Sequence, residues 1–346
     1  MECPACQSEE RCKACRGEMS SSISVSASGG GRIYEVFPGI TLTYYEVYNR
    51  QDCRAKKAPS QRVLEIHHCL EGRMEREFEK GFFYLTPGDL ALNRGESREG
   101  MLFFPLGHYR GITVEIDLLH TPECLGCFLE DVNVFPQHLF EKFCGGGQTF
   151  VLRAKPALEH IFSELYAVAP AIQKGYFKVK MLELMLFLSC LDPSEDLTPG
   201  RCCTRAQVLL ARQVGSYLTQ HMDSKIPIDT LAKKFQTSPT ALKTSFKGVY
   251  GISVYAYIRA QKMQSAARDL CSTNASVLEI AGRYGYDNAS KFAKAFKDTM
   301  GASPSDYRSK SGSTSPVAPV ARLPDWTLPL SDAQDVLGTV TEAAFE

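Results

Sequence analysis

The chain of 346 residues balances 39 basic against 39 acidic side chains, and 44% of its residues are hydrophobic. That length exceeds one ordinary domain, and zero formal net charge excludes bulk attraction of the whole chain to nucleic acid. Thirteen irregularly spaced cysteines do not form the dense framework of a small secreted domain.

The chain opens with Met1-Glu2-Cys3-Pro4 rather than a basic and then apolar leader. Its longest apolar run, residues 181–191, is too short to cross a bilayer, so a cytoplasmic protein with no membrane partner is expected. Residues 1–31 read as a Cys-rich, flexible segment. Cys3, Cys6, Cys12 and Cys15 make two CxxC pairs, whose spacing brings both sulfurs of a pair to one tetrahedral ion, making zinc or another soft metal a candidate cofactor. The loop between the pairs is shorter than a zinc-ribbon span, and a metal-free, redox-labile tail is the alternative. The following "SSSISVSASGGG" reads as a connector, with folded structure beginning near Arg32.

From residue 32 to about 149, short apolar or alternating runs separated by Gly, Pro and charged turns predict many antiparallel strands in a β-barrel or sandwich. Leu158, Ile161, Phe162, Leu165 and Val168 then repeat at helical spacing. A second run over residues 175–191 is apolar around most of its circumference, predicting a deeply buried helix. Residues 32–192 thus form one domain, and 193–204 a linker rich in Pro, Gly and acids. Residues 205–308 read as all-helical, and 309–346 as a mostly disordered tail. The fold class is multidomain α+β.

The helical region departs from the chain's neutrality, with 15 Lys and Arg against 7 Asp and Glu over residues 205–308. It also repeats itself at a shift of about fifty. Phe246-Lys247 matches Phe296-Lys297, Gly251 matches Gly301, Ser253 matches Ser303 and Tyr257 matches Tyr307. Each copy reads helix, a three-residue break ("QTS", "GYD"), helix, which is the grammar of a helix-turn-helix. Ser238-Pro239 and Ser303-Pro304 supply a capping hydroxyl before a proline at the first helical position, and Ser276 with Glu279 forms a capping box. Leu242 and Phe246, and likewise Phe292 and Phe296, are four apart and face the core. The opposite faces are short, polar and cationic, suited to a major groove of double-stranded DNA. Between the copies, residues 254–270 predict a helical strut of roughly 25 Å, placing the readers near one duplex turn, roughly 34 Å.

Residues 205–308 closely resemble the DNA-binding domain of the AraC/XylS family of transcription regulators. The resemblance rests on Ile280-Ala281, Gly285-Tyr286, Phe292, Phe296-Lys297, Gly301, Ser303-Pro304 and Tyr307-Arg308. It implies seven helices, with Thr240, Lys243 and Thr244 of the first reader and Ala289, Ser290, Lys291 and Lys294 of the second meeting bases or phosphates. Lys247 and Lys297 join these as candidate DNA contacts. Family members often carry a bulky or basic residue in the first reader, whereas Thr240 and Thr244 are small, so either weak readout or readout through thymine methyl contacts is expected there.

The region ahead resembles the cupin-like sensor and dimerisation domain of many family members, with "YLTPGDLAL" over residues 84–92 as its local signature. The resemblance implies a β-barrel with two helices, a homodimer, a small-molecule effector and RNA polymerase as a candidate partner. Tyr44, Phe78, Phe83 and Tyr84, with Arg62 or Arg73 nearby, are candidate pocket residues; core packing is the competing role for the aromatics. The competing function is a cupin-type metalloenzyme fused to a DNA-binding domain. His67-His68 breaks the His-x-His ligand pattern, because neighbouring strand residues point to opposite faces; this leaves Glu65 and His67 as the same-face pair, with His108 as a third candidate. No catalytic residues are expected.

Overall fold

The computed structural model describes residues 21–26, 29–48, 52–54, 62–78, 81–95, 101–121, 134–145, 149–193 and 202–311. They fall into two compact units, one drawn from residues 1–209 and 248–251, the other from 210–247 and 252–346. The strands of the first unit are β1 (Ser21–Ser26), β2 (Gly29–Phe37), β3 (Ile40–Tyr48), β4 (Asp52–Arg54), β5 (Val63–Gly72), β6 (Met74–Phe78), β7 (Gly81–Leu85), β8 (Leu90–Arg94), β9 (Met101–Phe103), β10 (His108–Asp117) and β11 (Phe150–Leu152). Seven of them form an antiparallel sheet in the order β1-β2-β3-β10-β5-β8-β11, and four form a second sheet in the order β4-β9-β6-β7. Neither sheet closes among the described residues, so an open two-sheet sandwich stands in place of the expected barrel.

The supposed connector is also corrected. Ser21–Ser26 is a strand that pairs antiparallel with residues 29–34, so ordered structure begins before Arg32. The alternation Ser-Ile-Ser-Val-Ser over residues 22–26 carries the period of two a strand needs, and its serine content hid it. Residues 1–20, including all four N-terminal cysteines, lie outside the described residues, as do residues 312–346.

Alternation along the strands divides the core in two. On one side of the large sheet, Leu42, Leu64, Ile66, Leu92, Ile112 and Val114 pack against three helices, α1 (Pro136–Cys144), α2 (Pro156–Ala167) and α3 (Gln173–Cys190). On the other side, Val47, Cys69 and Tyr109 meet Met74, Phe83 and Leu85 of the small sheet. The "TPGD" turn is a structural device: the buried Asp89 carboxylate accepts from the Thr86 backbone N–H (2.8 Å) and hydroxyl (2.6 Å) and pairs with Arg153.

Two helices were expected ahead of the linker and three stand among the described residues, because α1, nine residues long, falls inside the stretch to about residue 149 that was read as strands. The third helix, expected to be buried around most of its circumference, is buried on one face only. Phe177, Met181, Leu184 and Leu188 are inside, whereas Val179 is 60% exposed. Buried Lys180 on that helix is held by Glu183 (2.7 Å) and Glu164. The linker's end is paired, since Cys203 exchanges both backbone hydrogen bonds with Phe82 (2.7 and 2.8 Å).

Among the described residues, 205–311 carry the seven helices that the resemblance implies: α4 (Arg205–Gln220), α5 (Ile228–Lys234), α6 (Pro239–Tyr250), α7 (Val254–Ser272), α8 (Val277–Arg283), α9 (Ala289–Met300) and α10 (Pro304–Ser311), the last running three residues past the expected boundary. Met263, Ala266 and Leu270 of α7 pack with Ile280, Phe292, Phe296 and Tyr307 into one core. Among the described residues no helix is long and apolar enough to cross a membrane.

Candidate nucleic-acid interface

The internal repeat holds at the level of the backbone. Helices α5 and α8 are seven residues each, and α6 and α9 twelve each. The breaks between them are four residues, Phe235 to Ser238, and five, Tyr284 to Asn288, rather than three. Phe235 (φ −95°, ψ 14°) and Tyr284 (φ −101°, ψ 17°) have already left the helix, which lengthens both breaks at their start. The chain then reverses through a positive φ at Gln236 (50°) and at Gly285 (74°). Thr237 N–H donates to Ala232 O and Tyr286 N–H to Ala281 O, both at 3.0 Å.

Both readers are capped alike. Ser238 Oγ accepts from Ala241 N–H at 3.1 Å, and Asn288 Oδ1 accepts from Ser290 N–H at 2.8 Å and Lys291 N–H at 3.2 Å, satisfying donors that a helix start leaves unpaired. After each reader comes a glycine with φ 77°, Gly251 or Gly301, and then a serine cap, Ser253 or Ser303, each accepting an N–H three residues on at 3.2 Å. The capping role of Asn288 escaped the sequence reading, which placed the residue inside the helix.

These ends fix the rotation of the readers. Leu242 and Phe246 are buried in α6, and Thr240, Lys243, Thr244 and Lys247 are exposed. In α9, Phe292 and Phe296 are buried, Ser290, Lys291, Lys294 and Lys297 are exposed and Ala289 is half-buried. Aromatic contacts anchor the buried sides: Phe246 meets Tyr257 of α7 at 5.3 Å, Phe292 meets Tyr286 at 5.5 Å and Phe296 meets Tyr307 at 5.5 Å. The strut α7 has 19 residues, two more than expected, and spans roughly 28 Å. Several motif residues are structural: Ile280 and Ala281 are buried, and Arg308 donates to Leu270 O (3.2 Å) and Ala275 O (2.5 Å) at the end of α7. The outward sides are left with hydroxyls and ammonium groups, which donate to base edges and neutralise phosphates.

In the β-rich unit the five candidate pocket residues with described side chains do not gather at one place, although Arg73 and Tyr84 meet. Tyr44 lies on the helical side, donating to Leu165 O at 2.6 Å beside Tyr34, Tyr166 and Phe177. Phe83 faces the space between the sheets. Tyr84 donates to Glu75 at 2.5 Å with the Arg73 guanidinium over its ring, and Arg62 is exposed. Phe78 belongs to β6, its side chain lying outside the described residues.

A polar cluster occupies the same face of β5 as Cys69, between the sheets. His67 Nδ1 lies 2.9 Å from Thr113 Oγ1, its Nε2 lies 3.2 Å from Glu65 and next to Arg76, and Asn93 donates to Glu65 at 2.9 Å. Asn93 Oδ1 and Arg76 Nε are buried without a hydrogen-bond partner among the described residues. Tyr45 sits nearby, its phenol pushed up to about 12 by burial and by Glu115 and Glu65. His68 points the other way, stacked on Phe162 at 3.9 Å, so the two neighbouring histidines face opposite sides. His108, at the far end of β10, pairs with Tyr48. Among the described residues no three His, Cys, Asp or Glu side chains are grouped to hold a metal. Arg76 and Asn93 were missed by the sequence reading, although polar residues at alternate positions of otherwise apolar strands are the signal that marks them.

Comparison with known proteins agrees with the helical geometry. A helix-turn-helix domain family matches residues 231–310. The uncharacterized HTH-type transcriptional regulator YdiP of Escherichia coli (strain K12) is 37% identical over 100 residues, 29% of this chain and 33% of that protein. The right origin-binding protein of the same strain is 33% identical over 124 residues, 36% of this chain and 43% of that protein. The HTH-type transcriptional activator AarP of Providencia stuartii is 30% identical over 105 residues, 30% of this chain and 78% of that protein. The chain thus spans from a third to under half of the length of the first two. With its duplicated readers and these relatives, the chain belongs to the AraC/XylS family of transcription regulators.

Proposed function

We propose that this protein binds double-stranded DNA in a sequence-specific manner and regulates transcription in the cytoplasm, with a small-molecule effector acting through the β-rich unit. The observation that carries the reading is the duplicated helix-turn-helix, whose two equally capped readers bury their phenylalanines and expose Thr240, Lys243, Thr244 and Lys247 on one copy and Ser290, Lys291, Lys294 and Lys297 on the other. Phosphate contacts from the lysines set register, and the hydroxyls read base edges.

The effector site is the polar cluster between the sheets, where Asn93 Oδ1 and Arg76 Nε offer an acceptor and a donor that no group among the described residues engages. An unsatisfied buried polar atom costs about 1–3 kcal/mol, which a hydrogen-bonding ligand would recover. The protein acts as a homodimer through α3 and the residue before it, on which Ile172, Val179 and Leu186 are exposed at heptad spacing. RNA polymerase is the further partner that such a regulator implies. Metal at the N-terminal cysteines is a separate proposal, tested by elemental analysis of anaerobically purified protein: a stoichiometric soft metal supports it, and metal-free protein ends it.

Selection from a pool of random duplexes tests the main reading. Enriched sequences should carry two blocks spaced by about one helical turn, 10–10.5 base pairs. A pool that stays random after repeated rounds contradicts the proposal.

A further inference from the structure

The outward face of the second reader carries an acid among its lysines. Asp298 follows Lys291 by seven residues and Lys294 by four, so it lies in the same file of side chains, and 49% of its side chain is exposed. A bare carboxylate there would repel the phosphates that the lysines attract. It is not bare: Asp298 Oδ2 accepts from the Arg259 guanidinium at 3.1 Å. Arg259 stands on the strut α7, so the strut itself reaches the face that the second reader presents.

This part of the strut is otherwise open. Tyr255, four residues before Arg259 in the same file, is 74% exposed. Burial pushes the Tyr286 phenol above its usual range, Arg259 opposes the shift and Tyr255 adds to it, so both strut residues stand beside the break that precedes α9. Asp298 occupies only part of the guanidinium. Among the described residues, Arg259 Nε is buried without a partner and no second acceptor engages the group, while 33% of the side chain remains exposed. Arg268 is the contrasting arginine of this helix. It lies nine residues on, about 180° around the axis, and bonds to the Ser265 hydroxyl at 2.9 Å. The two guanidinium groups therefore leave the strut on opposite sides.

We propose that Arg259 is a DNA contact outside both readers, donating to a backbone phosphate between the two groove segments while Asp298 holds its guanidinium in position. The inference rests on the DNA-binding function proposed above. Base edges are read from the first turns of a recognition helix, whereas Asp298 lies in the last turn of α9, at the rim of the groove where phosphates stand. A guanidinium presents five donors in a planar fork, so it keeps the carboxylate on one edge and takes phosphate oxygens with another. The pair thus cancels the repulsion of the acid and adds a cation on the strut that joins the readers.

Titration of selected duplexes with the full chain over a range of salt concentrations tests this. Arg259→Gln should weaken binding about tenfold, the worth of one charge-assisted contact, and lower the slope of log affinity against log salt by about 1 on every duplex alike. Arg268→Gln removes the same charge from the other side of the strut and should leave affinity and slope unchanged. The double variant Arg259→Gln with Asp298→Asn keeps the net charge of the parent, and it should still bind more weakly with the lower slope. Its return to parental binding would reduce Arg259 to a neutraliser of Asp298 and overturn the proposal. An exposed ion pair is worth about 0–1 kcal/mol, so these variants should fold, and circular dichroism checks this. Equal slopes for the parent and Arg259→Gln, equal losses from both arginine variants, or a loss confined to one sequence would also overturn it. A parent chain that binds no duplex would instead overturn the DNA-binding function and this contact together.

Discussion

Replacing Gly285 by alanine tests the geometry that aims the second reader. Gly285 has φ +74°, where an L residue costs about 1–2 kcal/mol, and its new methyl would lie 2.3 Å from Asp223 O and 3.1 Å from Asp223 C, both backbone atoms. Forcing such an overlap costs about 1–3 kcal/mol more, so the total is about 2–5 kcal/mol. Two other glycines isolate the terms. Gly301 has φ +77° but nothing within 4 Å of its added methyl, so Gly301→Ala should cost only the conformational term, about 1–2 kcal/mol. Gly282 is helical, exposed and equally open, and Gly282→Ala should stabilise by about 0.5–1 kcal/mol. The loss of unfolded-state freedom is common to all three substitutions and cancels between them. Amide exchange at buried Phe292 and Phe296 of the full chain reads the local stability, each 1.4 kcal/mol accelerating exchange about tenfold. Equal effects of Gly285→Ala and Gly301→Ala would refute the packing of the turn against Asp223.

Burial holds the His68 imidazole down at about 3, against an ordinary 6.5. Below pH 6.5 the unfolded chain takes up a proton there that the folded chain refuses, so the stabilisation is complete above 6.5 and is lost as pH falls towards 3, by up to about 1.4 kcal/mol per pH unit. His68→Phe, which retains a ring against Phe162, should remove that component from urea melts across this window, and parallel pH profiles for the two proteins would contradict the burial. Asn288→Ala removes the cap of α9 and should cost about 1 kcal/mol, seen as faster exchange at the first turn of that helix; unchanged exchange would deny the cap its role. Lys291→Ala and Lys294→Ala should each lower the slope of log affinity against log salt by about 1 while weakening all duplexes alike. A loss confined to one sequence would instead make that lysine a base reader.

Most of the helical unit was legible in the sequence because its signals are local. Caps such as Ser276 with Glu279, the Gly301 stop and the four-residue spacing of Phe292 and Phe296 each specify structure within a few residues. Duplication repeated the glycine stop at Gly251 and the four-residue spacing at Leu242 and Phe246, though not the capping box. The first turn was misjudged because Phe235 keeps the helical hydrophobic period after its backbone has left the helix. The β-rich unit was less legible because strand pairing is non-local. Nothing near Tyr44 in the chain announces that it meets α2 while Phe83 meets the other sheet, so the candidate pocket residues were grouped by type rather than by face. Likewise, the alternation Ser-Ile-Ser-Val-Ser becomes a strand through its pairing with residues 29–34, and composition pointed the other way.

Fluorescence anisotropy of a selected duplex, titrated with the full chain over a range of salt concentrations, tests the central claim most directly. The account predicts tight binding whose logarithm falls linearly with log salt, as released counterions require, and a shallower line when Lys291 and Lys294 are both alanine. Affinity that ignores salt, or a double variant indistinguishable from the parent, would contradict it.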